Sequence, residues 1–272
     1  MSLESLSIEI RDHIAEVTLL DPGKGNAQGP AFWKEAPKAF AELNDNDDVR
    51  VIVIKGSGRN FCYGLDLMAM STEFGDVFGG PQMAEGRTRL LKLIREMQGA
   101  LDVLARSPKP VIAAVHGRCI GGGLDLAAAC DLRLCSKDAS FSLREVKVAI
   151  VADVGSLQRL PPIIGEGATR ELAFTGKDID ADRALSLGLV NEIFDDADAL
   201  FAGARALAEE VAKNPPLVVQ GIKQVMNRRV QHAIDDGLDY VAVWNSAFLQ
   251  SEDLMEAIAA FAERREPHYK GR

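Results

Sequence analysis

Three acidic residues stand in surroundings that suit a carboxylate poorly. Asp125 lies in GGGLDLAAACD, and Glu145 and Asp153 flank the apolar run VKVAIVA in REVKVAIVADVG. Taken singly, Asp125 reads as a favourable charge at a helix N-terminus, and the other two read as surface or capping acids. Taken together they suggest proton chemistry. An apolar pocket raises a carboxyl pKa towards the working pH, and neighbouring acids raise one another further. Such groups can take a proton from carbon and return one.

Glycines supply the second ingredient. In VIAAVHGRCIGGGLDLAAACD an apolar strand passes through glycines into an Ala-rich helix, whose first N–H groups, Gly122 among them, are free to donate. In NFCYGLDLMAM, Leu65 follows a glycine just past a strand and can offer another main-chain N–H. Two donors from separate segments suit one oxygen that gains negative charge, as in a thioester enolate. The competing reading is a tight strand-to-helix turn. The triple glycine is not GxGxxG and lacks the Walker lysine, so a phosphate loop is disfavoured. Asp66 reads as a helix cap.

These residues need a scaffold. LSIEIRDHIAEVTLL alternates as a hairpin, DPGKGNAQGP is a Gly/Pro-rich loop, and VRVIVIKGSG and PKPVIAAVHG read as buried strands. TRLLKLIREMQGALDVLARS has helical periodicity, LRLCS and ASFSL are short strands, and NEIFD is an edge strand. Residues 71–87, rich in Gly and polar groups, read as a mobile loop carrying Phe74, Phe78 and Met83. From about residue 202 the pattern is helical throughout. It predicts an α/β core over 1–201 and a helical region over 202–272, with KNPP as the best boundary marker.

Composition excludes several classes. A net charge of −9 gives no global field for nucleic acid or an anionic membrane. The N-terminus lacks the basic and apolar regions of a signal peptide, no apolar run reaches membrane-span length, and the final YKGR is not a peroxisomal address. Cys62, Cys119, Cys130 and Cys135 form no CxxC pair and no zinc-type spacing, so we expect no metal. They read as small buried hydrophobes in a reducing, cytoplasmic setting. His116, after a buried strand, reads as structural, and Arg144 as a surface partner.

NFCYGLDL, PKPVIAAVHGRCIGGGLDLAAACDLRLCS, SFSLREVKVAIVADVGSLQRLP and AFTGKDIDADRALSLGLVNEIF, in that order and spacing, resemble the crotonase (enoyl-CoA hydratase/isomerase) superfamily over most of the chain. The resemblance implies a spiral of ββα units in two roughly perpendicular sheets, then a helical region that mediates trimers or hexamers. Hydratases of the family carry glutamate where this chain has Asp125, and a small, glycine-rich stretch where it has Asp153. The three acids and the Trp244-Asn245 pair instead resemble the members that convert 3,5-dienoyl-CoA to 2,4-dienoyl-CoA in fatty-acid β-oxidation. On that pattern Glu145 and Asp153 shuttle protons between C2 and C6, with Glu145 favoured at C2, and Asp125 tunes the site. Leu65 and Gly122 N–H groups hold the thioester oxygen. Lys24, Phe261, Arg264 and Arg265 are implied as coenzyme A contacts. Coenzyme A is part of the substrate, and no separate cofactor is expected. The alternatives are a 2-enoyl-CoA hydratase, a 3-enoyl to 2-enoyl-CoA isomerase, or a non-enzymatic scaffold, which the intact acid set and the acidic balance argue against.

Overall fold

The alternation in LSIEIR and IAEVTL folds as β1 (Leu6–Arg11) and β2 (Ile14–Leu19), paired antiparallel through a turn in which Asp12 and His13 both take positive φ. In this computed structural model, which describes residues 3–73, 75 and 83–272, β2 then pairs in parallel with β3 (Val51–Gly56). Parallel pairing continues through β4 (Val111–Val115), β6 (Leu132–Ser136) and the edge strand β9 (Glu192–Phe194), giving a six-stranded sheet in the order β1-β2-β3-β4-β6-β9. VIVI and VIAAV are buried on both faces, which is why they read as unbroken apolar runs rather than alternating ones. A second sheet of three short strands joins β5 (Arg118–Ile120), β7 (Ser140–Ser142) and β8 (Ile179–Asp180).

One face of the large sheet is covered by α1 (Pro30–Asp45), α3 (Ala84–Ala105) and the buried α4 (Gly122–Ala129), with α2 (Leu67–Glu73) beside α1. The short helices α5 (Ser156–Arg159), α6 (Pro161–Ile164), α7 (Glu166–Thr175) and α8 (Ala181–Ser186) come next in the chain, and the other face takes α9 (Ala197–Ala212), which presents Leu200, Ala204, Ala208 and Ala212 at four-residue spacing to Ile14, Val51, Val53, Ile112, Ala114 and Leu134. Three alanines on that stripe let the helix lie close against the strands. Position 202 falls inside this helix, and the chain leaves the sheet at Asn214 and Pro215. The 33-residue α10 (Pro216–Phe248) and α11 (Glu252–Glu263) follow. Among the described residues no helix is long and apolar enough to cross a membrane.

One local expectation changes. Residues 71–73 continue α2 and residues 84–87 open α3, so they are not loop. Met83 is exposed at the start of α3, and Phe74 and Phe78 lie outside the described residues. The apolar run VKVAIVA forms no strand. Glu145–Val148 forms a single 3-10 turn that Ala149 closes in the left-handed region (φ 54), and Val146 and Val151 face outwards. Reversal of the chain at Ala149 brings the two flanking acids to one side of the loop.

Candidate active site

Strand β5 ends at Ile120, and Gly121 (φ 53, ψ −121) turns the chain into α4, with its own N–H donated to the Ser142 carbonyl at 2.9 Å. Gly122 is the first helical residue, and its N–H has no carbonyl four residues back to bond. Gly64 faces it. A Cβ on Gly64 would stand 2.6 Å from the Ile120 oxygen and 3.0 Å from the Gly122 nitrogen, at a φ of +83. Only glycine permits this approach, which sets the residue before Leu65 against Gly122. Among the described residues neither the Leu65 N–H nor the Gly122 N–H donates a hydrogen bond within the protein.

Asp125 sits in the first turn of α4 and is wholly buried. Its Oδ1 accepts the Ser156 N–H at 2.5 Å, and its Oδ2 is buried without a partner among the described residues. Burial raises its pKa, against the opposing pull of Ser156 and the Arg159 guanidinium. Glu145 enters from the 3-10 turn. Its Oε1 lies 3.2 Å from where a Cβ on Gly121 would stand, and its Oε2 is buried without a partner among the described residues. Burial, then the charges of Asp125 and Asp153, hold it well above the ordinary glutamate range.

Asp153 completes the group. Burial pushes its carboxyl up to about 7, with help from Asp125, while the Asn245 side chain opposes the rise. Asn245, on α10, donates to Asp153 Oδ2 at 2.6 Å and to the Val151 carbonyl at 2.8 Å. Gln98, on α3, donates to the Asp153 carbonyl at 2.7 Å. Glu145 and Asp153 each keep some surface because their loop forms a cavity wall. Their carboxyl groups are nonetheless surrounded by protein, and that enclosure governs their proton affinity.

The cavity holds about 650 Å³ and is lined by all three acids, by Leu65, Gly121 and Gly122, and by apolar groups including Trp33, Met97, Ile120 and Ile150. That size suits a small organic ligand. A larger groove of about 1280 Å³ along α10 contains none of these residues. Among the described residues no cluster of His, Cys, Asp and Glu is placed to hold a metal.

Lys24 reaches the cavity rim, where it pairs with Asp66 at 2.9 Å. Asp66 also caps α2 by accepting the Ala69 N–H at 2.9 Å. Arg264 and Arg265 lie past the end of α11, away from the cavity lining, and Arg265 is paired with Glu256 and Glu263. The side chain of Phe261 lies outside the described residues. Arg144 lines the cavity but is paired with Asp178. His116 is buried, bonded to the Gly58 carbonyl and set edge-on to Phe201, as a structural residue. Sequence reasoning missed Gln28, Gln98, Ser156 and Arg159, and noted Asn245 only for its place beside Trp244. The available signal was polarity inside otherwise buried stretches, which does not by itself say which group is contacted.

An α/β core of two sheets with a helical C-terminal region carries this cavity and its buried acids, and the chain belongs to the enoyl-CoA hydratase/isomerase family, whose profile matches residues 9–272. A mitochondrial Δ(3,5)-Δ(2,4)-dienoyl-CoA isomerase of Dictyostelium discoideum is 42% identical over 259 residues, 94% of this chain and 87% of that protein. The peroxisomal Δ(3,5)-Δ(2,4)-dienoyl-CoA isomerase of Arabidopsis thaliana is 44% identical over 248 residues, 91% and 89% of the two chains. An enoyl-CoA hydratase from Mycobacterium avium subsp. paratuberculosis superposes with a TM-score of 0.85 over 99% of this chain and 100% of its own, at 24% identity, a likeness of fold alone.

Proposed function

We propose that this protein isomerises 3,5-dienoyl-CoA to 2,4-dienoyl-CoA in the oxidation of unsaturated fatty acids. The observation that carries the reading is that Glu145 and Asp153, eight residues apart on one loop, enter the same cavity as the Leu65 and Gly122 N–H groups, which donate to none of the described residues. The thioester oxygen sits between those donors. Glu145 lies beside Gly121, next to the donor Gly122, and so faces C2. It removes a C2 proton, and the electron pair spreads through C1 to the thioester oxygen, where the N–H groups stabilise the dienolate, and along the diene to C6. Asp153 delivers a proton to C6. Double bonds at C3 and C5 become double bonds at C2 and C4, with one proton lost and one gained.

The three acids cannot all ionise cheaply in one enclosure, which suits a reaction that starts with Glu145 ionised and Asp153 protonated. One member is then a base while the other is an acid. Each turnover leaves them exchanged, and proton exchange with water resets them. A 2-enoyl-CoA hydratase reading is weaker, because Asp125 spends one oxygen on the Ser156 N–H rather than on a water. The reaction moves only protons, and coenzyme A enters as part of the substrate.

The exposed Tyr240, Val243, Trp244 and Phe248 on α10 support self-association into trimers or hexamers. Lys24 is the contact we assign to coenzyme A within one chain, and Arg264 and Arg265 would serve from a neighbouring copy. The four buried, unbridged cysteines fit a reducing compartment such as the cytosol. The test of activity is a side-by-side panel of 3,5-dienoyl-, 2-enoyl- and 3-enoyl-CoA followed by ultraviolet absorbance. A gain in long-wavelength diene absorbance with the first substrate supports the isomerase, and turnover of 2-enoyl-CoA alone refutes it.

A further inference from the structure

Gln28 is fully buried in the cavity wall, and its polar groups bond the residues on either side of Leu65 and the Gly122 carbonyl. Its N–H donates to the Gly64 carbonyl at 2.7 Å, and its own carbonyl accepts the Asp66 N–H at 3.1 Å, so its main chain brackets Leu65 on both sides. Its side-chain Nε2 donates to the Gly122 carbonyl at 3.1 Å. Trp33 holds Gln28 in turn, donating Nε1–H to its carbonyl at 3.2 Å. One residue thus ties together the segments that carry both donors.

The remaining atom, Oε1, is buried and has no partner among the described residues. It lies 2.3 Å from where a Cβ on Gly122 would stand, against the bare face of that glycine. A buried amide oxygen left unpaired is destabilising, so a purely structural clamp does not account for a glutamine here. A thioester whose oxygen occupies the donor pair places its sulfur one bond from the carbonyl carbon. The first amide N–H of a pantetheine arm follows three bonds beyond the sulfur.

We propose that Gln28 is a positioning and specificity residue: it holds the two donors in register, and its Oε1 accepts the first amide N–H of the pantetheine arm. This rests on the reading of the cavity as a thioester site. The experiment uses two inert hexanoyl thioesters of equal size, one on N-acetylcysteamine and one on its oxygen-ester analogue, which replaces the N–H by O. Binding of each is measured by titration calorimetry. Wild-type protein should bind the amide compound about tenfold more tightly, the value of one such hydrogen bond. Gln28→Met, of similar volume, should bring the ratio close to one while its melting transition persists. On the matching 3,5-dienoyl thioesters it should also lower kcat on both. A wild-type ratio near one overturns the proposal without need of any variant, as does a ratio preserved in folded Gln28→Met. If no 3,5-dienoyl thioester is turned over, the isomerase reading falls, and the binding ratio still decides the role of Gln28.

Discussion

Asn245 donates its side-chain N–H to Asp153 Oδ2 at 2.6 Å, joining the long helix of the C-terminal region to one carboxylate of the cavity. The bond favours the ionised form of an acid that burial otherwise drives towards the neutral one. Removing it in Asn245→Leu should raise the Asp153 pKa above about 7. A hydrogen bond to a charged group is worth about 1.5–3 kcal/mol, so the shift should be roughly one to two pH units. The check is the pH profile of kcat/KM, which should be bell-shaped in the wild type. One limb should move upwards in the variant, and an unmoved profile would remove Asn245 from the titration of the pair.

Isotope exchange separates the two acids. With Glu145 at C2 and Asp153 at C6, Asp153→Asn should lose isomerisation by about 10²–10⁴-fold, the usual worth of a general acid or base. It should still exchange the C2 hydrogen of a 3,5-dienoyl thioester in heavy water, as read by mass spectrometry. Glu145→Gln should lose both. The opposite pattern would exchange the two assignments.

The acids should also weaken the fold as pH rises. A buried carboxyl with a raised pKa stays protonated in the folded state, whereas the unfolded chain releases that proton near pH 4. Between those limits the folded state binds more protons, so stability falls with rising pH. For Asp153 the window runs from 3.8 to about 7, and Glu145 and Asp125 contribute in the same direction. Asp153→Asn should therefore raise Tm more at pH 8 than at pH 5, by an amount equivalent to a few kcal/mol at most. An equal change at both pH values would contradict the burial of that charge.

Gly64→Ala tests the donor pair. Alanine at a φ of +83 is strained, and its Cβ meets the Ile120 carbonyl at 2.6 Å and the Gly122 nitrogen at 3.0 Å. We expect a stability loss of about 1–3 kcal/mol. Parting the donors should lower kcat by about 10²-fold or more, with the Kd of an inert thioester changing much less. Loss of binding with kcat intact would place the thioester oxygen elsewhere.

Residue order alone determined much of this protein. Unbroken apolar runs marked the doubly covered strands β3 and β4, the glycines at 64 and 121–123 marked two stretches of unencumbered main chain, and three acids among apolar neighbours marked one cavity. These signals are local, because backbone freedom and burial preference belong to each residue and its near neighbours. Tertiary structure decided the rest. VKVAIVA had the composition of a core strand, yet Ala149 turns it back and Val146 and Val151 face outwards. Asn245, ninety-two residues from Asp153, and Gln28, ninety-four from Gly122, become partners only through packing of the chain. A polar side chain carries no mark of which distant group it will meet; that choice is made when helices and loops close on one cavity.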